Sequence, residues 1–419
     1  MAAPKQFRTT IAKLVHGGQG FGVLEDGRKC FVWGALPDED VTFRSLKNRK
    51  DYVEGIAVEI HKASLDRIDP RDDAFMSTSP RQIMVEFLED AYKLAILTET
   101  FERAGVSLPE KVLADQTTSF YQYRNKMEYS FFGDDDGLHL ALYNRGTHHK
   151  QIVKSSSIEQ PEITKAANEV VAQLGDLRVR AADLKTLILR TSQQGKTVAA
   201  LFVKRKDFPQ LTLPKSLDGL TVVYSNPLSP ASVRTKDLKI YGDISLSDKV
   251  LGKELSYDVH SFFQVNLEVF NRAVEKIKTS LQNYPVVDMY SGVGTIGLAL
   301  QKPVTLVESD SANIVWARHN LLAQADANLI ESSSESALDV IGPQQVLVVD
   351  PPRAGLHPKL TQKILEIKPA QLIYLSCNPS TQARDVALMQ NCYRLDSLTC
   401  YNFFPRTPHI ESLAVLVRR

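Results

Sequence analysis

The sequence predicts an α/β protein: a doubly wound, largely parallel sheet at the C-terminal end, preceded by a small OB-like β-barrel and a β-rich α+β central region. Three observations carry this expectation. From Ser256 onward, short apolar runs alternate with helix-compatible segments, which is the pattern of βαβ units. Over residues 5 to about 62, short β-rich runs alternate with turn signals at the spacing of a small barrel. At 419 residues the chain is long for one core, so two or three domains are expected. The expected boundaries are 1–62, 63–255 and 256–419.

Composition narrows the class. Hydrophobic residues at 43% and charged ones at 24% describe an ordinary globular chain, which argues against a disordered or membrane protein. The formal net charge of +1 gives no global polyanion signal, so any nucleic-acid surface must be a local basic patch. Cys30, Cys377, Cys392 and Cys400 form no CxxC pair, which argues against a zinc site or a disulfide framework. A reducing compartment suits them. The opening MAAPKQFRTT lacks an apolar core, and no stretch reaches membrane-spanning length. A soluble cytoplasmic protein with no membrane partner is expected.

In the first region the strand-like runs are Thr9 to Val15, Gly20 to Leu24, Lys29 to Trp33, Val41 to Ser45 and Tyr52 to Ile60, separated by HGGQG, EDGRK and LPDED. Arg44, Lys47, Arg49 and Lys50 cluster at one loop, as either a solvated hairpin tip or a phosphate contact. Gly18 to Gly22 lacks nucleotide-loop spacing and reads as a turn. Residues 63 to 83 are polar and punctuated by proline, hence a linker. From Ile83 to Gly105, Met84, Phe87, Leu88, Ala91, Leu94, Leu97 and Phe101 recur at helical spacing.

The central region shows strands at Tyr123 to Phe132, Leu138 to Tyr143, Leu187 to Arg190, Thr197 to Val203 and Leu220 to Tyr224, with one helix near Ile163 to Leu174. YRNKMEYSFF places Arg124, Lys126 and Glu128 on one strand face. Arg178, Arg180, Lys185, Arg190 and Lys204 to Lys206 add positive charge in a short span. Any one of these is explained by a solvated face, and together they tilt toward a nucleic-acid surface. In the last region the strands are Val286 to Met289, Val304 to Glu308, Val346 to Asp350, Leu372 to Leu375 and Leu413 to Val417.

Chemistry concentrates at the ends of those last strands, where ligands of open α/β sheets bind. VVDMYSGVGT sets Asp288 at a strand end with Gly292 and Gly294 in the following turn, where glycine lets backbone approach a ligand. Glu308 ends the next strand about 20 residues after Asp288, which fits the Rossmann-type arrangement of an acid on ribose hydroxyls. VVDPPRAGLH ends a wholly apolar strand at Asp350, with two prolines fixing the backbone before Arg353. LIYLSCNPSTQARD delivers Cys377 to a strand-to-helix corner. A lone cysteine in an apolar setting is usually a small buried hydrophobe, so Cys377 gains its interest from the other motifs. Near the C-terminus, His409 and Glu411 precede the final strand. A structural hydrogen-bonding role is the simpler reading of His409, and edge protection that of Glu411.

Taken in order, SFFQVN, DMYSGVGT, LVESD, DPPRAG, SCNPSTQARD and FPRTPHIES resemble the RNA uracil-5-methyltransferase family, and the N-terminal barrel resembles its TRAM RNA-binding domain. The resemblance covers nearly the whole chain and is strongest from Phe262 onward. It implies a Rossmann-like methyltransferase domain at the C-terminus and a central RNA-binding domain. It further implies that Cys377 is the nucleophile, that Glu411 removes a proton, and that Gln264, Tyr290, Gly292, Thr295, Glu308 and Asp350 contact the methyl donor S-adenosylmethionine. Asp350 would also hold the target base. Arg124, Lys126 and Phe263 are candidate RNA contacts, Phe263 or Tyr401 by stacking, although core packing explains both rings.

Two departures from the family pattern stand out. The cysteines that commonly bind an iron–sulfur cluster are absent, with AFMSTSPRQ and KSSSIEQ in their places, so no such cluster and no metal is expected. The acidic residue near the donor adenine is unclear in ESSSESA, where Ser333 and Glu335 both remain open.

The residue types suit the chemistry. Carbon 5 of uracil is a weak nucleophile until a thiolate adds to carbon 6. A carboxylate must afterwards remove the carbon 5 proton so that the sulfur leaves. Ribosomal RNA (23S) is the favoured substrate because of the barrel, with tRNA as the alternative, and a monomer is expected. A methyltransferase of another target leaves Cys377 with Glu411 unexplained. A catalytically silent RNA-binding protein needs none of the strand-end residues.

Overall fold

The computed structural model describes residues 5–145, 149–230, 232–322 and 324–419. Strands β1 (Gln6–Leu14), β2 (Gly20–Val23), β3 (Lys29–Trp33), β4 (Asp40–Asn48) and β5 (Tyr52–Lys62) form a closed barrel in the order β1-β2-β3-β5-β4. Alternation drives closure. Ile11, Cys30, Val32, Val41, Phe43 and Val53 point inward and are essentially inaccessible, while their neighbours face out. The turn of the β1–β2 hairpin is made by residues 16–19, whereas Gly20 to Gly22, expected to belong to a turn, are strand residues of β2.

The stretch expected to be a linker is packed structure. It holds the short helix α1 (Phe75–Thr78) and a 3-10 turn at Pro80–Ile83, in which Arg81, Gln82 and Ile83 are buried. Its polarity misled because those polar groups bond inward. The Gln82 amide bonds to the Arg71 backbone N–H, Asp72 and Ser157, and Ser157 also bonds Asp72. The long helix α2 (Glu89–Arg103) begins six residues later than the apolar spacing indicates, because Glu86–Leu88 is a separate 3-10 turn. The helix packs on the C-terminal sheet through Ile96, Leu97 and Phe101, so the expected boundary at 255 does not separate it from that sheet.

Strand β6 (Leu113–Ala114) is followed by a seven-stranded central sheet of order β13-β12-β11-β10-β7-β8-β9. Its members are β7 (Lys126–Asp134), β8 (Gly137–Tyr143), β9 (Lys150–Ile152), β10 (Leu184–Thr191), β11 (Thr197–Val203), β12 (Gly219–Tyr224) and β13 (Lys236–Gly242), with helix α3 (Pro161–Asp176) against one face. Arg124 precedes β7 and makes only an isolated bridge to Glu159, so it does not share the strand face of Lys126 and Glu128. Arg190 is 1% exposed, its guanidinium donating to the Ser261 and Phe263 carbonyls, and therefore belongs to no surface patch.

A hairpin of β14 (Ser245–Val250) and β15 (Lys253–Asp258) and helix α4 (Leu267–Ser280) lead into the C-terminal sheet. That sheet runs β18-β17-β16-β19-β20-β22-β21-β6. The ranges are β16 (Val286–Met289), β17 (Val304–Glu308), β18 (Ala327–Glu331), β19 (Val346–Val349), β20 (Gln371–Ser376), β21 (Tyr393–Tyr401) and β22 (Glu411–Arg418). Helices α5 (Ser311–Leu321), α6 (Pro358–Ile367) and α7 (Pro379–Met389) connect them. Strands β16 to β20 pair in parallel, whereas β22 is antiparallel to both β20 and β21, as the motif placement requires. Among the described residues no helix is long and apolar enough to cross a membrane.

Candidate active site

Register alone brings the principal side chains together. Met289 pairs with Val349 and with Val307, and Val349 pairs with Tyr374. The residues that leave these strands, Tyr290, Glu308 and Asp350, therefore sit level at one edge of the sheet. Ser376 pairs with Ser412, so the next positions outward in that antiparallel register are Cys377 and Glu411, which face each other. A cleft of about 500 Å³ opens over this edge, lined by Gln264, Tyr290, Gly292, Glu308, Asp350, Cys377 and Glu411. Phe262, Asn313, Pro351, Pro352, Arg353, Phe404 and His409 complete its wall.

Local structure holds each group. Gly292 and Gly294 both have positive φ, 58° and 92°. A Cβ at Gly292 would meet nothing within 4 Å, so its backbone lies bare to the cleft, whereas one at Gly294 would come within 2.6 Å of Leu298. The Glu308 carboxylate accepts from the N–H groups of Gly292 (2.8 Å), Ser309 (2.8 Å) and Asp310 (2.7 Å), which fixes its direction and leaves lone pairs for a ligand. Asp288 stays below the cleft floor, 1% exposed, accepting from Gly297 N–H at 2.8 Å. Asn378 caps α7 by accepting from Ser380 N–H at 3.2 Å and donates to the Arg353 carbonyl at 2.8 Å. That ties the Cys377 corner to the double-proline loop.

The electrostatics are dominated by burial of the acids. Burial pushes Asp350 up to about 7. Burial, with the neighbouring Asp350, raises Glu411 well above the carboxylate range. The Cys377 thiol is pushed up to about 12, chiefly by burial and then by Glu411 and Asp350, against the pull of Arg353. His409 is pushed down to about 3, by burial first and the Arg353 cation second, so it is neutral. Its Nδ1 lies 3.4 Å from the Arg353 guanidinium and its ring meets Phe404 edge-on at 5.6 Å. A neutral imidazole beside Arg353 serves as acceptor, in line with the structural reading of this histidine.

The tRNA (uracil-5-)-methyltransferase family model matches residues 337–419. A protein of Lactobacillus johnsonii described as an uncharacterized RNA methyltransferase is 28% identical over 99% of this chain and 97% of its own. One of Thermotoga maritima with the same description is 26% identical over 97% and 98%. In structure, the Pyrococcus abyssi tRNA (uracil-54, C5)-methyltransferase, solved with S-adenosyl-L-homocysteine, superposes with a TM-score of 0.80 at 23% identity, covering 98% of this chain and all of that one. These likenesses, to RNA methyltransferases over nearly the whole chain and to the uracil-5-methyltransferase model over residues 337–419, support the RNA uracil-5-methyltransferase family.

The expected site residues divide. Gln264, Tyr290, Gly292, Glu308, Asp350, Cys377 and Glu411 share the cleft. Thr295 is half-buried beyond the glycine turn and outside the lining. Phe263 is 1% exposed and stacks on Tyr257 at 4.1 Å, so it is core, and its neighbour Phe262, 58% exposed, lines the cleft instead. Alternation in SFFQVN would have revealed this, since Gln264 and Phe262 share a face. Tyr401 is likewise buried. Arg124 and Lys126 stand behind the wall: the Arg124 guanidinium lies 5.9 Å from the Phe404 ring, and burial above all pushes Lys126 down to about 7. In ESSSESA, Glu335 reaches a neighbouring groove that Tyr290 also lines, and Ser334 bonds to Tyr290. Among the described residues no group of three or more His, Cys, Asp or Glu suits a metal ion.

Proposed function

We propose that this protein transfers a methyl group from S-adenosylmethionine to carbon 5 of a uridine in structured RNA, with Cys377 as nucleophile and Glu411 as base. The observation that carries the reading is that Cys377 and Glu411 lie one step beyond the Ser376–Ser412 pair of β20 and β22 and line the same cleft as Asp350, Gly292 and Glu308. The donor supplies an electrophilic methyl on a sulfonium. Glu308 takes its ribose hydroxyls, the bare Gly292 turn admits it, and Gln264 and Tyr290 flank it.

Asp350 accepts the uracil N3–H and sets the ring plane. Cys377 forms its sulfur–carbon 6 bond and gives up the thiol proton to solvent, which leaves carbon 5 as an enolate carbon that takes the methyl group. Glu411 then accepts the carbon 5 proton, the 5,6 double bond re-forms, and the sulfur–carbon bond breaks. That proton returns to sulfur, so each turnover releases one proton. Phe262 and Phe404 supply the apolar faces against which an extruded base stacks.

The barrel offers a surface for flanking nucleotides. Phe21, Phe31 and Tyr52 stand on adjacent strands with centroids 5.7 and 6.1 Å apart, beside Lys13 and Lys29, over a groove of about 520 Å³ that α2 closes. His16 ends the groove and lies 3.4 Å from Ser380, three residues after Cys377. Such a barrel no longer favours 23S rRNA over tRNA, because the tRNA-modifying protein of Pyrococcus abyssi shares the fold along its whole length. Both substrates are therefore carried into the test.

The deciding experiment is transfer of labelled methyl from S-adenosylmethionine to tRNA and to 23S rRNA from cells lacking the protein, with nucleoside analysis. The expected product is 5-methyluridine in one pool. Cys377→Ala should abolish transfer while keeping donor binding. Glu411→Gln should slow turnover by about 10²–10⁴-fold and trap a denaturation-resistant protein–RNA adduct. Label in a different nucleoside, or Cys377→Ala with full activity, overturns the reading.

A further inference from the structure

Between β21 and β22, residues 402–410 form the loop that presents Phe404 and His409 to the cleft and leads directly into Glu411. Most of the loop is buried, and it is clamped from behind by charges that no chemical step uses. Glu89 and Lys93, one turn apart on α2, are both fully buried and paired at 2.9 Å. Lys93 Nζ donates to the Asn402 side-chain oxygen at 2.5 Å and to the Phe404 carbonyl at 3.0 Å. The Glu89 carboxylate accepts the Arg406 backbone N–H at 2.9 Å on both oxygens, and Asn402 Nδ2 at 3.2 Å. Arg406, itself fully buried with φ of 63°, donates to the Met84 carbonyl at 2.6 Å, and its own carbonyl accepts from Arg81 N–H at 3.0 Å. Tyr123 donates to the Pro405 carbonyl at 2.9 Å.

Buried ion pairs are poor sources of stability, because desolvation offsets most of the attraction. Their value lies in direction: a buried ammonium demands acceptors at fixed places, and here those acceptors are the loop's own Asn402 and Phe404. The bonds along Asn402, Phe404, Pro405 and Arg406 leave the following residues little freedom. Thr407 Oγ1 continues the chain of bonds, donating to the Phe404 carbonyl at 2.7 Å and accepting from His409 N–H at 3.3 Å. We infer that the Glu89–Lys93 pair on α2, with Arg406 and Tyr123, forms a positioning clamp that holds the 402–410 loop so that Glu411 meets the carbon 5 proton. None of these four side chains touches the cleft. The inference rests on Glu411 being the base, as proposed above.

A clamp of this kind has a signature that a purely structural role lacks. Methylation needs Cys377, Asp350 and the donor, but elimination needs Glu411 in place. Loosening the loop should therefore slow the second stage selectively. Lys93→Met keeps the stem and removes the three donors. The expected result is unchanged S-adenosylmethionine affinity, a fall in kcat of about 10- to 100-fold, and a denaturation-resistant adduct accumulating on wild-type Cys377. Tyr123→Phe, which deletes one hydroxyl, should show the same adduct at a lower level and decides the matter if Lys93→Met does not fold. Wild-type turnover without adduct in a folded Lys93→Met, or in Tyr123→Phe when it alone folds, overturns the clamp. So does a loss of rate matched by equal loss of donor binding. If instead Glu411→Gln shows no adduct while wild type is active, the base assignment itself fails, which separates the two claims.

Discussion

The cleft contains three acids that are all harder to ionise than usual, and the proposed reaction needs each of them ionised at some stage. Burial is the first cause for Asp350 at about 7, for Glu411, and for the Cys377 thiol at about 12. A sulfonium brought beside them favours every anionic form, so donor binding and ionisation are coupled. At pH 7, S-adenosylmethionine binding should release protons, and binding of its uncharged-sulfur product should release fewer. Titration calorimetry in two buffers of different ionisation enthalpy measures both numbers, and equal release for the two ligands would sink the coupling. The sign for rate follows from Glu411: as pH falls through its raised pKa the base is lost. Turnover should therefore decline on an acid limb lying above the ordinary carboxylate range, and Glu411→Gln should remove from that limb the part that belongs to elimination. Single residues were legible where the strand pattern sets direction, as for Asp350 and Cys377. Phe262 was missed because two adjacent phenylalanines look alike until alternation decides which one faces inward.

At the scale of elements, strands with apolar cores were readable and strands with polar faces were not. The strands β16, β17, β19 and β20 are almost wholly buried and read as apolar runs, whereas β13, KDLKIYG, is an exposed edge with no apolar face to detect. Strand β21 was lost to a bulge between Leu395 and Ser397 that breaks its alternation. The supposed linker failed for a related reason, since Gln82 and Asp72 bond each other rather than water. The barrel's outer aromatic row is an element-level feature whose role is testable. Phe31 is half-buried between Phe21 and Tyr52, so Phe31→Ala removes a stacking face without opening the barrel core. Its RNA affinity should fall by about 1–3 kcal/mol, the usual worth of one stacked base, with donor affinity unchanged. Filter binding with the methylated RNA pool reads this directly, and an unchanged RNA affinity would remove the groove from the substrate path.

Across the whole molecule, the sequence divides more cleanly than the cores do. One core joins Leu14 and Leu36 of the barrel, Ile83 and Met84 of the former linker, and Ile96, Leu97 and Phe101 of α2 to Val349, Leu372, Tyr374 and Leu416 of the C-terminal sheet. A second joins Ile188 and Phe202 of the central sheet to β15, α4 and the other face of the C-terminal sheet. Strand β6 caps the sheet edge at β21. A fragment starting at Ser256 keeps α4 but lacks the barrel, the former linker, α2, β6 and the central sheet, although the motifs from Phe262 onward are all inside it. Met84, Leu97 and Phe101 are each fully inaccessible. Burying such a side chain contributes about 1.5–3 kcal/mol, so losing three approaches the net stability of about 5–15 kcal/mol typical of a domain. Residues 256–419 expressed alone should therefore show no cooperative thermal transition and should bind a hydrophobic dye, while residues 64–419, which lack only the barrel, should keep a transition and donor binding. Circular dichroism in the near ultraviolet with a melting scan distinguishes the two. A 256–419 fragment that melts cooperatively and binds S-adenosylmethionine would mean that α2 merely rests on the catalytic sheet, and the clamp on the 402–410 loop would then have to act without contributing to its fold.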